Sequence, residues 1–248
     1  MGELLTRSVK IDSRMLNVKS ELMENGEIIF YLAALLMSAD AMGTASMSLA
    51  GFRRICGGSA KNWRKQDTDH ILSMLGKLNA LSDKLVYSFV LVDLSVGTKG
   101  AVINASAYDR EDELLTGRPA YTELDGAEWR TLINIGHENR HSPISLFLVY
   151  MYIKSFTRVW IYNGSRYRGC WLSRNLIGEN LNMGEKKVKT AIETLISAGL
   201  VTYANGDKNR GVGEYIIGRA SCEEMEDLYQ KHLQHTQSVA KRKKGSLS

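Results

Sequence analysis

The sequence predicts an α+β fold, mainly helical, in which a helix-turn-helix followed by a β-hairpin occurs twice in tandem. Three observations predict it. The stretch LSRNLIGENLNMGEKKVKTAIETLISAGLV, from Leu172 to Val201, holds two helical patterns around Asn182-Met183-Gly184, residues suited to a tight turn. The same order of elements recurs between Glu27 and Ala105, with slight residue identity. Hydrophobic residues make up 44% of the chain and only two prolines occur, Pro119 and Pro143, so a packed core and long helices are both permitted.

Taken in order, residues 1–25 alternate weakly through Val9, Ile11, Met15, Leu16 and Val18 and read as an arm with a short strand. Residues 26–108 form the first unit. Glu27 to Ala39 is a strongly apolar helix, and Ser48 to Ile55 a short one. Gly57-Gly58 makes the turn. Ser59 can N-cap a long helix to about Asn79, with Ile71, Leu72, Leu75 and Leu78 on its apolar side. Lys84 to Leu94 and Ala101 to Ala105 are the strands of a hairpin with its tip at Gly97-Thr98-Lys99-Gly100. Residues 109–136 are an acidic linker. It ends in a helix from Tyr121 to Ile135, capped by Thr122 and carrying Trp129, Leu132 and Ile133.

Residues 137–220 form the second unit. Its core helix is Ile144 to Phe156. Ser173 caps the short helix, and Glu185 to Ala198 is the long one, with Val188, Ala191, Ile192, Leu195 and Ile196 on one face. Gly199 suits the position just past its end. Leu200 to Tyr203 and Glu214 to Ile217 are strands around a loop from Asn205 to Gly211. Residues 221–248 comprise an amphipathic helix from Cys222 to His235 and a basic tail at Lys241-Arg242-Lys243-Lys244.

Net charge is +5, which is mild, but its distribution is uneven. Arg53, Arg54, Lys61, Arg64 and Lys65 form one acid-free block. Lys154, Arg158, Arg166, Arg168 and Arg174 form another. Seven acids between Asp109 and Glu128 separate them. Two polyanion-facing surfaces, with a linker held away from the polyanion, fit that pattern.

Several function classes find no footing. His137-Glu138-Asn139-Arg140-His141 matches H-E-x-x-H, but Pro143 interrupts the helix and no further His or carboxylate follows before Glu179. A polar loop before the Ile144 helix is the expected reading, with no metal and no cofactor. Phosphate loops and the G-x-S-x-G of hydrolases are absent, so no enzyme is expected. Trp63 could stack on a sugar, although an aromatic at helical spacing more often packs in a core. Cys56, Cys170 and Cys222 make no CxxC pair and read as reduced thiols of a cytoplasmic protein. The longest apolar runs, IIFYLAALLM and ISLFLVYMYI, are about half a membrane span and fit buried helices.

The segment CWLSRNLIGENLNMGEKKVKTAIETLISAGLVTY, preceded by ISLFLVYMYIKSF, resembles the winged-helix modules of bacterial plasmid, phage and mobile-element proteins. The resemblance spans Ser142 to Arg219; for the first half it rests on element order alone. Tandem winged helices resemble plasmid replication initiators, which bind origin repeats and recruit a host helicase. It implies a sequence-specific binder of double-stranded DNA, monomeric or homodimeric, associated with nucleoid or plasmid, with host replication proteins as further partners and no membrane. A winged-helix transcription regulator is the first alternative; a protein-interaction or inhibitor module is the second. The DNA contacts expected are Ser59, Lys61, Asn62, Arg64 and Lys65 on the first long helix, Arg174, Lys186, Lys187, Lys189 and Thr190 on the second helix pair, and Lys208, Asn209 and Arg210 at the second hairpin tip.

Overall fold

The computed structural model describes residues 8–12, 16, 26–40, 44–58, 65–81, 89–97, 100–108, 121–138, 142–162, 165–170, 172–205 and 213–217. Helices build the core, and small antiparallel sheets lie around it. At the centre are α1 (Glu27–Ser38) and α5 (Pro143–Ser155). Both are apolar on every side and are buried accordingly: Ile28 to Met37 and Ser145 to Ile153 lack significant exposure. These are the two apolar runs too short for a membrane. Among the described residues no helix is long and apolar enough to cross one.

Between Glu27 and Tyr108 the order is α1, β2 (Thr44–Ser48), α2 (Leu49–Ile55), α3 (Lys65–Leu81), β3 (Phe89–Gly97) and β4 (Gly100–Tyr108). The sheet order is β2-β4-β3, so the strand before α2 closes against the outer side of the hairpin. β2 was not expected from the sequence; TASMS has a single apolar-alternating pair, and its one β-branched residue, Thr44, is exposed. Its pairing with β4 is what makes it a strand. Ser48 caps α2 through its hydroxyl, which accepts from the Gly51 amide at 3.1 Å. The Gly57 and Gly58 amides return to Arg54 and Arg53 carbonyls and stop the helix. The proposed cap at Ser59 lies outside the described residues, as do residues 60–64 and 82–88; the described helix begins at Lys65 and the described strand at Phe89. Ile71, Leu75 and Leu78 are buried as their spacing requires, and Gly97 pairs with Gly100 across the hairpin tip.

Tyr121 to Asp125 is a strand, β5, rather than the start of the linker helix, and it pairs with β1 (Ser8–Asp12) from the N-terminal arm. Thr122 is a buried strand residue and not a cap. The helix α4 (Gly126–Glu138) is capped by Asp125, whose carboxylate accepts from the Glu128 amide at 2.7 Å while Glu128 accepts from the Asp125 amide at 2.9 Å. That reciprocal pair needs an acceptor at the cap and an acid three residues on, which Asp125-Gly126-Ala127-Glu128 supplies. The expected helix forms over the later part of its span, from Gly126, with Asp125 rather than Thr122 as its cap.

After α5 come β6 (Arg158–Tyr162) and β7 (Ser165–Gly169), a hairpin not expected from the sequence, then α6 (Arg174–Leu181), α7 (Glu185–Ser197), β8 (Val201–Asn205) and β9 (Gly213–Ile217). β7 lies beside β9. The order of elements therefore echoes the first half, with β6 and β7 standing where β2 stands.

The two halves share one continuous buried cluster. Phe30 of α1, Trp129 of α4 and Phe147 of α5 meet in a ring triad, with centroids 5.2 to 5.9 Å apart. The two pairs made by Phe147 are edge-to-face, a geometry that adds to the area they bury.

Candidate nucleic-acid interface

The candidate interface grows from the α6–α7 pair. Ser173 accepts from the Leu176 amide at 3.2 Å and starts α6. Asn182 stops it in the left-handed conformation, φ 50°, and the Met183 amide returns to the Gly178 carbonyl at 2.8 Å. The turn lies so close to α6 that a Cβ on Gly178 would meet the Met183 carbonyl oxygen at 2.7 Å. Gly184 then opens α7. The far end is closed by Gly199, φ 71°, with the Leu200 amide on Leu195 and the Gly199 amide on Ile196.

Val188, Ala191, Ile192 and Leu195 of α7 are buried against α5 and α6. Ile196, expected on that face, is 37% exposed, because it lies at the edge of the apolar stripe near the helix end. The outward face carries Lys186, Lys189 and Thr190, with Lys187 on its flank. All three lysines are exposed. Lys189 lies 3.9 Å from Glu193, an exposed pair at a spacing worth only a few tenths of a kcal/mol. The Thr190 hydroxyl donates to the Lys186 carbonyl, so it offers a ligand only acceptor capacity in this rotamer.

Arg174 is held differently from the lysines. Its guanidinium lies 5.8 Å from the Tyr203 ring centroid, joining α6 to β8. Lys154 does not belong to a polyanion-facing surface at all. Its ammonium sits 2.6 and 2.7 Å from the Glu128 carboxylate oxygens. Tyr150 donates to the same carboxylate. Burial and the neighbouring Glu128 charge push the Tyr150 phenol well above its usual range, so it stays a donor at any physiological pH. Glu128 thus serves a helix cap, a tyrosine and a lysine together. An acid and a base far apart in sequence, read as surface charges of opposite sign, are each other's half-buried partners.

Of the remaining expected contacts, Ser59, Lys61, Asn62, Arg64, Lys208, Asn209 and Arg210 lie outside the described residues; Lys65 begins α3, and its side chain is likewise outside them. His137 and Glu138 are the last residues of α4 rather than part of a loop, and α5 begins at Pro143 behind an extended Ser142; Asn139, Arg140 and His141 lie outside the described residues. Among the described residues no three His, Cys, Asp or Glu side chains gather. Burial raises the Cys56 thiol far above its ordinary range, which makes it a poor nucleophile.

One feature escaped the sequence reading. Between the starts of α5 and α7 lies a cleft of about 440 Å³, lined by Ser142, Ser145, Leu146, Lys186, Lys187 and Thr190 among others. A lone serine inside the apolar run ISLFLVYMYI was the available signal. Compared with known protein families, curated proteins and solved structures, the chain matches none.

Proposed function

We propose that the chain is a sequence-specific double-stranded DNA-binding protein built from two winged helices, acting as a replication initiator of a plasmid or mobile element that binds origin repeats. The observation that carries this reading is the outward face of α7. Lys186, Lys187 and Lys189 are exposed in its first turns, next to a tight turn from α6, where a recognition helix meets the major groove. Support for the tandem arrangement comes from the repeated order of core helix, short capped helix, long helix and hairpin, and from the β2-β4-β3 sheet of the first half. No catalytic role is assigned to any residue, and no membrane partner. Regulation of transcription uses the same contacts and differs in the arrangement of sites. Several direct repeats beside an A·T-rich stretch favour initiation; one palindrome at a promoter favours repression.

The experiment is titration of duplex DNA carrying a selected site at several salt concentrations. Two engaged units neutralise roughly 8–12 phosphates, giving a log–log slope of about −7 to −11. A slope shallower than about −3 contradicts a two-unit DNA binder.

A further inference from the structure

We infer that the β6–β7 ribbon, whose register sets Trp160 opposite Tyr167 among arginines, is a platform for the bases of single-stranded nucleic acid. The ribbon pairs Arg158 with Gly169, Trp160 with Tyr167 and Tyr162 with Ser165. Alternate residues of a strand share a face. Arg158, Trp160 and Tyr162 of β6 therefore occupy the same face as Tyr167 of β7, and Val159, Ile161, Arg166 and Arg168 occupy the other. Directly opposed residues lie roughly 5 Å apart, and same-face neighbours along one strand roughly 6.5 Å. Three aromatic positions within one such patch match the size of a sheet surface that takes two or three bases. An aromatic ring can stack on the face of any base, and cations around it meet the phosphates.

Charge favours nucleic acid over an apolar partner. From Ser142 to Gly178 the chain holds no Asp or Glu. Lys154 is committed to Glu128, which leaves Arg158, Arg166, Arg168 and Arg174 as the cations of that stretch. Arg158 shares the aromatic face, and Arg166 and Arg168 stand on either side of Tyr167 along β7. Position agrees. Among the described elements β6 makes extensive contact only with β7, and β7 only with β6 and β9, so no described helix lies along the ribbon. A cross-strand aromatic pair also steadies a hairpin by itself. That role needs no cations, and it does not account for a third aromatic position on the same face.

This goes beyond duplex recognition by α7 and does not rest on it. Bases within a duplex are stacked on one another and must leave the stack before a protein ring can take their faces. The α7 lysines and the ribbon aromatics therefore answer to different forms of nucleic acid.

The test is fluorescence-anisotropy titration of the full chain with end-labelled oligo-dT and oligo-rU of roughly 16 nucleotides, beside a duplex carrying a selected site. Saturable binding of a single strand is expected; the tighter of the two oligomers identifies DNA or RNA as the source. Trp160→Leu and Tyr167→Leu keep apolar bulk and lose the ring. Each should weaken the single strand by roughly fivefold or more and the duplex by less than about twofold. Trp160→Phe keeps a ring and should bind within about threefold of the parent. Single-strand binding should also quench tryptophan fluorescence, and Trp160→Phe should lose part of that quenching while it still binds, a readout that does not depend on the leucine variants folding. Absence of saturable binding to both oligomers overturns the proposal. So do leucine variants that bind the single strand as the parent does, equal weakening of single strand and duplex, or quenching unchanged in Trp160→Phe. If single strands fail while Lys187→Ala still alters duplex affinity, the ribbon proposal is refuted and the duplex reading stands.

Discussion

At the scale of single residues, the interior of this protein is organised by a few side chains that serve several partners. Glu128 is the main one. Its carboxylate accepts from the Asp125 amide, the Tyr150 hydroxyl and the Lys154 ammonium, with side-chain exposure of 13% for Glu128 and 21% for Lys154. Removing the charge strands a largely buried ammonium, whereas removing the lysine leaves the carboxylate two donors. Glu128→Gln is therefore expected to destabilise by about 1–3 kcal/mol, and Lys154→Met by less. Denaturant melts of the two variants check the order; equal costs would mean the lysine is the carboxylate's only important partner. Lys154→Met should also leave the salt slope of DNA binding unchanged, because that ammonium is already neutralised. This pairing was not legible in the sequence. Glu128 and Lys154 lie 26 residues apart, and only the packing of α4 on α5 brings them together.

At the scale of elements, caps and turns were the most legible features, because they depend on residues within a few positions of one another. Ser173, Asn182, Gly57 and Gly199 each do what their local chemistry dictates, while Ser48, expected as the first residue of the short helix, is its cap. Asp125 was legible too, as the first member of an Asp-x-x-Glu pair, and shows that an acid three residues downstream outweighs an earlier threonine. Strands depending on distant partners were harder. β1 was legible in the alternation of Val9 and Ile11, although not its pairing with β5; β2 lacks such a pattern and is a strand because β4 pairs with it. The α6–α7 turn gives a sharp test. Gly178→Ala places a methyl 2.7 Å from the Met183 carbonyl, and backbone cannot move aside as a flexible side chain would. Helix propensity favours alanine by up to about 1 kcal/mol, yet the clash should leave a net loss of roughly 1–3 kcal/mol. A variant as stable as the parent would mean the turn sits further from α6 than described.

At the scale of the whole molecule, burial was legible and arrangement was not. The apolar runs around Phe30 and Phe147 announced helices covered on all sides. That they would cover each other, with Trp129 between them, was not visible in either run, since each is apolar all round and points nowhere in particular. The sequence therefore suggested two separate units, while the core described here is continuous through both. Leu75 of α3 and Leu195 of α7 are both fully buried, one in each half. Truncation of either to alanine should destabilise by roughly 2–5 kcal/mol. Because the core is shared, each should shift a single common unfolding transition rather than melt one half alone. Two separated transitions in either variant would contradict that.

The proposal that α7 reads DNA sequence is tested most sharply on its lysines. Base contacts discriminate between sequences, whereas phosphate contacts strengthen binding to all of them. A lysine on guanine edges is worth roughly 1–3 kcal/mol of discrimination. The measurement is paired titration of Lys187→Ala and Lys189→Ala against a selected duplex and a scrambled one, at two or more salt concentrations. Lys208→Ala and Arg210→Ala serve as phosphate-contact controls; each should weaken both duplexes together and flatten the salt slope by about one unit. At least one α7 lysine variant is expected to lower the specific-to-random affinity ratio by roughly fivefold or more. Equal weakening of both duplexes by the α7 variants, or no change in either, would contradict it and move the reading helix to the first half, to Lys61, Asn62, Arg64 and Lys65.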